Sequence, residues 1–215
     1  MSWWPPFGRR READPRRWVV VDVETTGLDP SRDRLLAIAA VALQVDGDAV
    51  PRIDPADSFE VVLRQDGAVV DKSNILLHGI GVGAQRAGVD PPQALQQFEA
   101  WVGSSPLIGF HAAFDEAMIL RAMKSVLGRR LDNLWLDLDP LARVARPEVK
   151  GRSLDDWLAL TNLSAAVRHQ AASDALVTAQ LLQVLWPTLR AQRESMDIAG
   201  LRRRAAGLRW LGQNG

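Results

Sequence analysis

The stretch Arg17-Trp18-Val19-Val20-Val21-Asp22-Val23-Glu24-Thr25-Thr26-Gly27-Leu28-Asp29 organises the reading of this chain. Trp18 to Val21 is an apolar, β-branched run, which suits a buried strand better than a helix. On a strand, residues two apart point to one face, so the carboxylates of Asp22 and Glu24 project together. Thr25-Thr26-Gly27-Leu28 then breaks the strand, with Gly27 free of the limits a side chain puts on the backbone. Two neighbouring carboxylates repel one another unless a cation compensates them. An all-oxygen site favours Mg²⁺ or Mn²⁺ over zinc. Taken alone, an Asp-x-Glu at a strand end is more often a solvated turn, so the rest of the chain has to decide.

At 215 residues the chain has room for one α/β domain with a full core. Its 47% hydrophobic and 24% charged content are ordinary for a globular protein. With no cysteine, disulfides, thiolate metal sites and a cysteine nucleophile are excluded. No apolar run approaches a membrane span and no signal-peptide pattern follows Met1, so the expectation is a cytoplasmic protein without a membrane partner. The net charge of zero is unevenly spread. Residues 1–18 carry five Arg against Glu12 and Asp14, and residues 190–215 carry six Arg against Glu194 and Asp197. An acidic centre with basic ends suits a metal site acting on a polyanion, and it equally suits two solvated tails.

Moving outward, Leu35 to Val45 is almost wholly apolar and reads as a second strand, closed by the turn residues Asp46-Gly47-Asp48. Ser58 to Leu63 alternates enough for a third, which makes an antiparallel meander of the first three. Residues 66–89 read mostly as loop, anchored by Leu76-Leu77-His78-Gly79-Ile80. Pro91-Pro92 opens a helix to about Val102. Pro106 to Phe110 is a short strand, followed by a helix over Ala113–Leu127 that stops at Gly128. Leu134 to Leu138 supplies a fifth strand. Ser153 caps a helix with Asp155 and Asp156 in its first turn. A long helix runs from Gln170 to Leu185 and ends at Pro187. Ile198, Leu201, Ala205 and Leu208 give a last amphipathic helix with Arg202 to Arg204 beside the stripe. The division expected is an irregular Arg/Trp/Pro-rich arm over 1–17, in which Trp3 and Trp4 lie on the domain or a partner. A catalytic domain over 18–190 and a basic helical extension over 191–215 follow.

Two further motifs follow in the order a metal site needs. In Gly109-Phe110-His111-Ala112-Ala113-Phe114-Asp115, a strand delivers Asp115 to the opening of a helix, where the dipole favours an anion. In His169-Gln170-Ala171-Ala172-Ser173-Asp174-Ala175, Asp174 lies on an apolar-faced helix with His169 near its start. Asp115 alone is more often a helix N-terminal acid, and His169 alone is more often a solvated cap residue. Four carboxylates and one His in this order, each on a suitable element, are hard to obtain by chance.

The set Asp22-x-Glu24-Thr-Thr-Gly-Leu, Phe114-Asp115 and His169-x4-Asp174 resembles the DEDDh 3′–5′ exonucleases, a family that includes the proofreading subunit of bacterial replicative polymerases. The resemblance runs from about Trp18 to Trp186, and takes in Leu77-His78-Gly79-Ile80, Asp137 to Arg143 and Ser153-Leu154-Asp155. It implies a ribonuclease-H-like α/β fold with a mixed five-stranded sheet flanked by helices. One departure is local: the family commonly has His-Asn where this chain has Phe110-His111.

The resemblance implies two divalent cations, Mg²⁺ or Mn²⁺, acting on the 3′ end of single-stranded DNA or RNA. By it, Asp22 bridges both ions, Glu24 and Asp174 complete the first site, and Asp115 acts mostly through coordinated water. His169 is then the general base, since an imidazole's ordinary pKa of about 6.5 leaves it proton-accepting at physiological pH. The backbone of the turn Thr25, Thr26, Gly27 and Leu28 would hold the terminal 3′-hydroxyl, with Phe114 stacking on the last base and His78 touching the nucleotide. Core packing is an equal role for Phe114, and a structural one suits His78 slightly better. DNA is the favoured substrate; the alternatives are an exoribonuclease trimming RNA or short oligonucleotides, and an inert nucleic-acid-binding module. Gln180-Leu181-Leu182 faintly resembles a clamp-binding peptide but falls inside a helix, so a polymerase partner lacks a clear motif. The oligomeric state stays open.

Overall fold

The computed structural model describes residues 13–67, 72–151 and 153–211; Trp3, Trp4 and most of the expected arm lie outside them. The strands are β1 (Arg17–Thr25), β2 (Leu35–Gln44), β3 (Arg52–Val62), β4 (Leu107–Gly109) and β5 (Trp135–Asp137). They form a single sheet in the order β3-β2-β1-β4-β5. β1 pairs antiparallel with β2, and β2 with β3, whereas β1–β4 and β4–β5 are parallel. β1 is therefore central, with the direction of pairing changing across it.

The helices are α1 (Lys72–His78), α2 (Val82–Ala87), α3 (Pro91–Val102), α4 (Ala113–Leu127), α5 (Leu138–Ala145), α6 (Leu154–Thr161), α7 (Ala171–Ala191) and α8 (Ile198–Leu211). Alternation along β1 divides the core in two. Trp18 and Val20 join one cluster with Leu141, Trp157, Leu182, Trp186 and Leu201, from α5 to α8. Val19, Val21 and Val23 join the other with Leu95, Phe98, Ile119 and Met123, from α3 and α4. The pleat that buries Trp18 and Val20 then points Asp22 and Glu24 to the same side, the one covered by α7. The strand's own periodicity thus turns a core face into a site.

Three expectations need correction. The third strand begins at Arg52, not Ser58, and runs through Pro55. β3 is an edge strand, where a missing N–H costs no ladder bond, and an irregularity between Val41 and Ala42 absorbs the extra residues. The segment expected as loop contains α1 and α2, helices of seven and six residues that are too short for periodicity to reveal. The long helix passes through Pro187 to Ala191. Proline forfeits one helical bond there, but fully buried Trp186 and Leu189 flank it, and Trp186 Nε1 donates to Asp48 O at 3.0 Å. Packing outweighs the lost bond.

Other boundaries fall within a few residues of expectation. Gly128 closes α4 in the left-handed region at φ 68°. Ser153 and Asp156 form a reciprocal capping box at α6. On α8, Arg204 is buried, donating to Leu189 O at 3.0 Å, whereas Arg202 and Arg203 are exposed. The side chains of Leu77 and Leu208 lie outside the described residues.

Candidate active site

Three elements meet at the C-terminal end of β1. β1 supplies Asp22 and Glu24, the first turn of α4 supplies Asp115, and the first turn of α7 supplies Asp174. Asp115 is 4% exposed and Asp174 is 6% exposed, so these acids are enclosed rather than solvated. The cost appears in their protonation. Enclosure, then Asp115, Asp174 and Glu24, drive the Asp22 carboxyl well above the usual carboxylate range, against the pull of Arg168. Glu24 is pushed up to about 8 by enclosure and then by Asp174, opposed by the Ala171 N–H and Arg168. Asp115 is likewise pushed up to about 8 by burial; the Val23 N–H opposes this, and Asp137 and Glu24 add to it. The four acids expected from sequence are one electrostatic unit.

Local chemistry holds them there. Gly109 lies where a Cβ would meet Asp115 Oδ2 and the Ala112 Cβ at 3.2 Å, so a side chain at 109 would crowd the carboxylate. Gly27 is close-packed too: a Cβ would come 2.5 Å from Asp33 Oδ2. Asp33 braces the turn, accepting from Thr26 Oγ1 at 2.9 Å and from the Asp29 N–H at 2.8 Å. The Thr25 hydroxyl donates to Gly27 O at 2.7 Å. Both threonine hydroxyls thus shape the loop, and Leu28 at its tip is 87% exposed.

His169 is exposed and sits at φ 59°, a left-handed conformation uncommon for any residue but glycine. Its backbone N–H donates to Asp174 Oδ2 at 3.1 Å, tying the His169 backbone to a site carboxylate. Arg168 donates to Asp174 Oδ1 and, through Nε, to Asp155 Oδ1 at 2.5 Å. Sequence reasoning gave no role to Arg168, nor to Gly109 within its motif. An Arg beside a motif His carries little signal until the fold shows which acids it reaches.

The remaining candidates divide. α1 lies against the turn, with Asn74 Nδ2 donating to Thr25 O at 2.9 Å. His78 is 3% exposed; its Nδ1 accepts from the Ile80 N–H at 2.9 Å, Nε2 has no partner among the described residues, and burial holds its pKa down. Phe114 is half-buried against the α3–α4 core cluster. His111 is exposed at φ 59°, its N–H on Asp137 Oδ1 at 3.0 Å and its ring 4.7 Å from that of Phe110. A cavity of about 700 Å³ lined by Asp48, Pro187, Arg190 and Met196 shares no residue with the cluster.

The donor chemistry fits a hard divalent cation: acidic oxygens, largely dehydrated and mutually repelling. Among the described residues, no three of these groups already stand around one point at ligand distance. Both Asp174 oxygens are engaged, one by Arg168 and one by the His169 N–H.

The mixed sheet thus carries an acid cluster at the end of its central strand. The chain belongs to the RNase_T exonuclease family, whose model matches residues 19–182. It is 29% identical over 185 residues to DNA polymerase III PolC-type of Clostridium perfringens and 30% over 182 residues to that of Listeria welshimeri. Each match covers 84% of this chain but only 12% of the relative's length. Among solved structures, E. coli exonuclease I in complex with a dT13 oligonucleotide superposes with a TM-score of 0.67 at 17% identity, over 82% of this chain and 42% of that one. Cell-death related nuclease 4 superposes equally well, at 0.67 and 16% identity, over 79% and 63% of the two chains. These likenesses show the ribonuclease-H-like exonuclease fold. No helix among the described residues is long and apolar enough to cross a membrane.

Proposed function

We propose that this chain is a DEDDh-type 3′–5′ exonuclease that hydrolyses single-stranded DNA with two divalent cations, Mg²⁺ or Mn²⁺. The observation that carries the reading is the convergence of buried Asp115 and Asp174 with half-buried Asp22 and Glu24 into one mutually repelling set beside His169. When bound, the cations would activate a water, neutralise the scissile phosphate and assist the leaving 3′-oxygen. Asp22, Glu24 and Asp174 would hold them, with Asp115 acting largely through water.

His169 accepts the proton from the attacking water. Its exposed ring is open to a substrate, and its backbone bond to Asp174 keeps it in register with the acids. The Thr25–Leu28 turn, braced from within by Asp33, presents backbone groups and exposed Leu28 to the terminal nucleotide. His78 and half-buried Phe114 would add contacts to that nucleotide. DNA is favoured over RNA because the relatives are DNA polymerases, which supports a setting in replication or repair. A clamp contact through Gln180-Leu181-Leu182 is not part of the proposal, since Leu181 and Leu182 are buried inside α7.

The test is digestion of matched 5′-labelled DNA and RNA oligonucleotides with Mg²⁺, Mn²⁺ or EDTA, with Asp174→Ala as control. A metal-dependent ladder that shortens from the 3′ end, runs faster on DNA and is absent in the variant is expected. Faster RNA cleavage would reassign the substrate. No cleavage of either, or of dinucleotides, would mark an inert binding module.

A further inference from the structure

We propose that Arg168 is the internal counter-ion of the acid cluster, and the competitor that a divalent cation displaces from Asp174. The proposal rests on the metal-binding reading above and assigns one residue the task of setting that affinity.

The guanidinium lies between two helices. Towards the interior it bonds Asp174 Oδ1, whose side chain is 9% exposed; towards solvent its Nε bonds Asp155 Oδ1 at 2.5 Å, and that side chain is 61% exposed. Arg168 itself is 26% exposed along its side chain. Its charge also reaches Asp22 and Glu24, so one cation opposes the repulsion among several acids. The backbone donors at the site do not do this. The Ala171 and His169 N–H groups donate hydrogen bonds but bring no net charge.

A carboxylate oxygen engaged by a guanidinium is a poor ligand for a second cation. Two positive groups about 4 Å apart in a partly dehydrated site repel strongly, so an ion taking Asp174 Oδ1 must move the arginine off it. The fork geometry makes this a partial release. Arginine offers five N–H donors, and the Asp155 bond uses Nε, so the side chain keeps an anchor when Nη1 lets go. Asp155, at the first turn of α6, has no place in the acid cluster itself. Its role is to take up the arginine once the cation has claimed Asp174, as the partner that remains.

The opposing effects give a signature. Arg168 stabilises the metal-free chain and weakens metal binding, whereas an arginine with only a structural role would do the first alone. Isothermal calorimetry of Mn²⁺ into the full chain is the measurement, with unfolding in EDTA alongside. Arg168→Gln should melt lower in EDTA yet bind Mn²⁺ about tenfold more tightly, within the usual range for two competing ligands. Arg168→Lys keeps the charge without the fork and should fall between, which carries the test should the glutamine variant fail to fold. Asp155→Asn should weaken Mn²⁺ binding in the native background and do so far less in the Arg168→Gln background. Unchanged or weaker Mn²⁺ binding in both Arg168 variants overturns the proposal while leaving the metal site standing. No Mn²⁺ binding by the native chain or any variant overturns the metal reading, and this proposal with it.

Discussion

Replacing Asp115 by asparagine should stabilise the metal-free protein while abolishing its nuclease activity. The carboxyl is 4% exposed and its pKa rises from 3.8 to about 8, first through burial. At pH 7 the folded chain therefore holds a proton that the unfolded chain has released. At about 1.4 kcal/mol per unit over roughly three units, this costs the native state about 4 kcal/mol. Rearrangement and water entry around a buried charge return part of that, leaving about 2 kcal/mol. Asparagine has the same shape, keeps an acceptor for the Val23 N–H and does not titrate. For a chain of this size the gain corresponds to about 4–8 °C in melting temperature.

The pH dependence follows in sign. A carboxyl whose folded pKa is raised favours folding least at high pH, so the native chain loses stability as pH rises from about 4 to about 8. The variant lacks this component, and its advantage should be absent near pH 4 and full near pH 8. Urea unfolding in EDTA at pH 5 and pH 8, followed by tryptophan fluorescence, measures both. A variant less stable than the native chain at pH 8, or an equal gain at both values, would refute the reasoning. With Mn²⁺ the order should reverse, since the cation repays the native cluster and not the variant.

Other substitutions test the site and the scaffold behind it. His169→Ala should keep Mn²⁺ affinity by calorimetry and lose about 10²–10⁴-fold in turnover; an equal loss of metal affinity would deny it the role of base. Gly27→Ala places a methyl 2.5 Å from Asp33 Oδ2, and should destabilise the chain by about 1–3 kcal/mol in urea unfolding by prising Asp33 from Thr26. Arg17→Met removes a buried guanidinium that bonds Asp57 at 2.7 and 3.0 Å and Ser105 Oγ at 2.9 Å. It should cost about 3–5 kcal/mol in the same assay without changing Mn²⁺ affinity.

Much of the architecture was legible because its signals are local. The β-branched run before Asp22, the proline pair opening α3, Gly128 closing α4 and the Ser153–Asp156 box each act within a turn or two of chain. α1 and α2 escaped because helices of seven and six residues show no period and hold through tertiary contacts, such as Asn74 on Thr25. Pro187 misled because proline's local cost is real. Only the burial of Trp186 and Leu189 shows that it is overcome.

The sequence by itself determined which acids are the candidates and on which elements they ride, since alternation along β1 and the first turns of two helices are set within single segments. It also supplied the resemblance that the family match bears out. Tertiary structure alone decided how those acids sit. Their shared repulsion, the space Gly109 leaves for Asp115 and the bridge from Arg168 to Asp155 all join residues on separate elements. Such contacts depend on how segments dock, and docking is fixed by the packed core as a whole rather than by the residues that meet there.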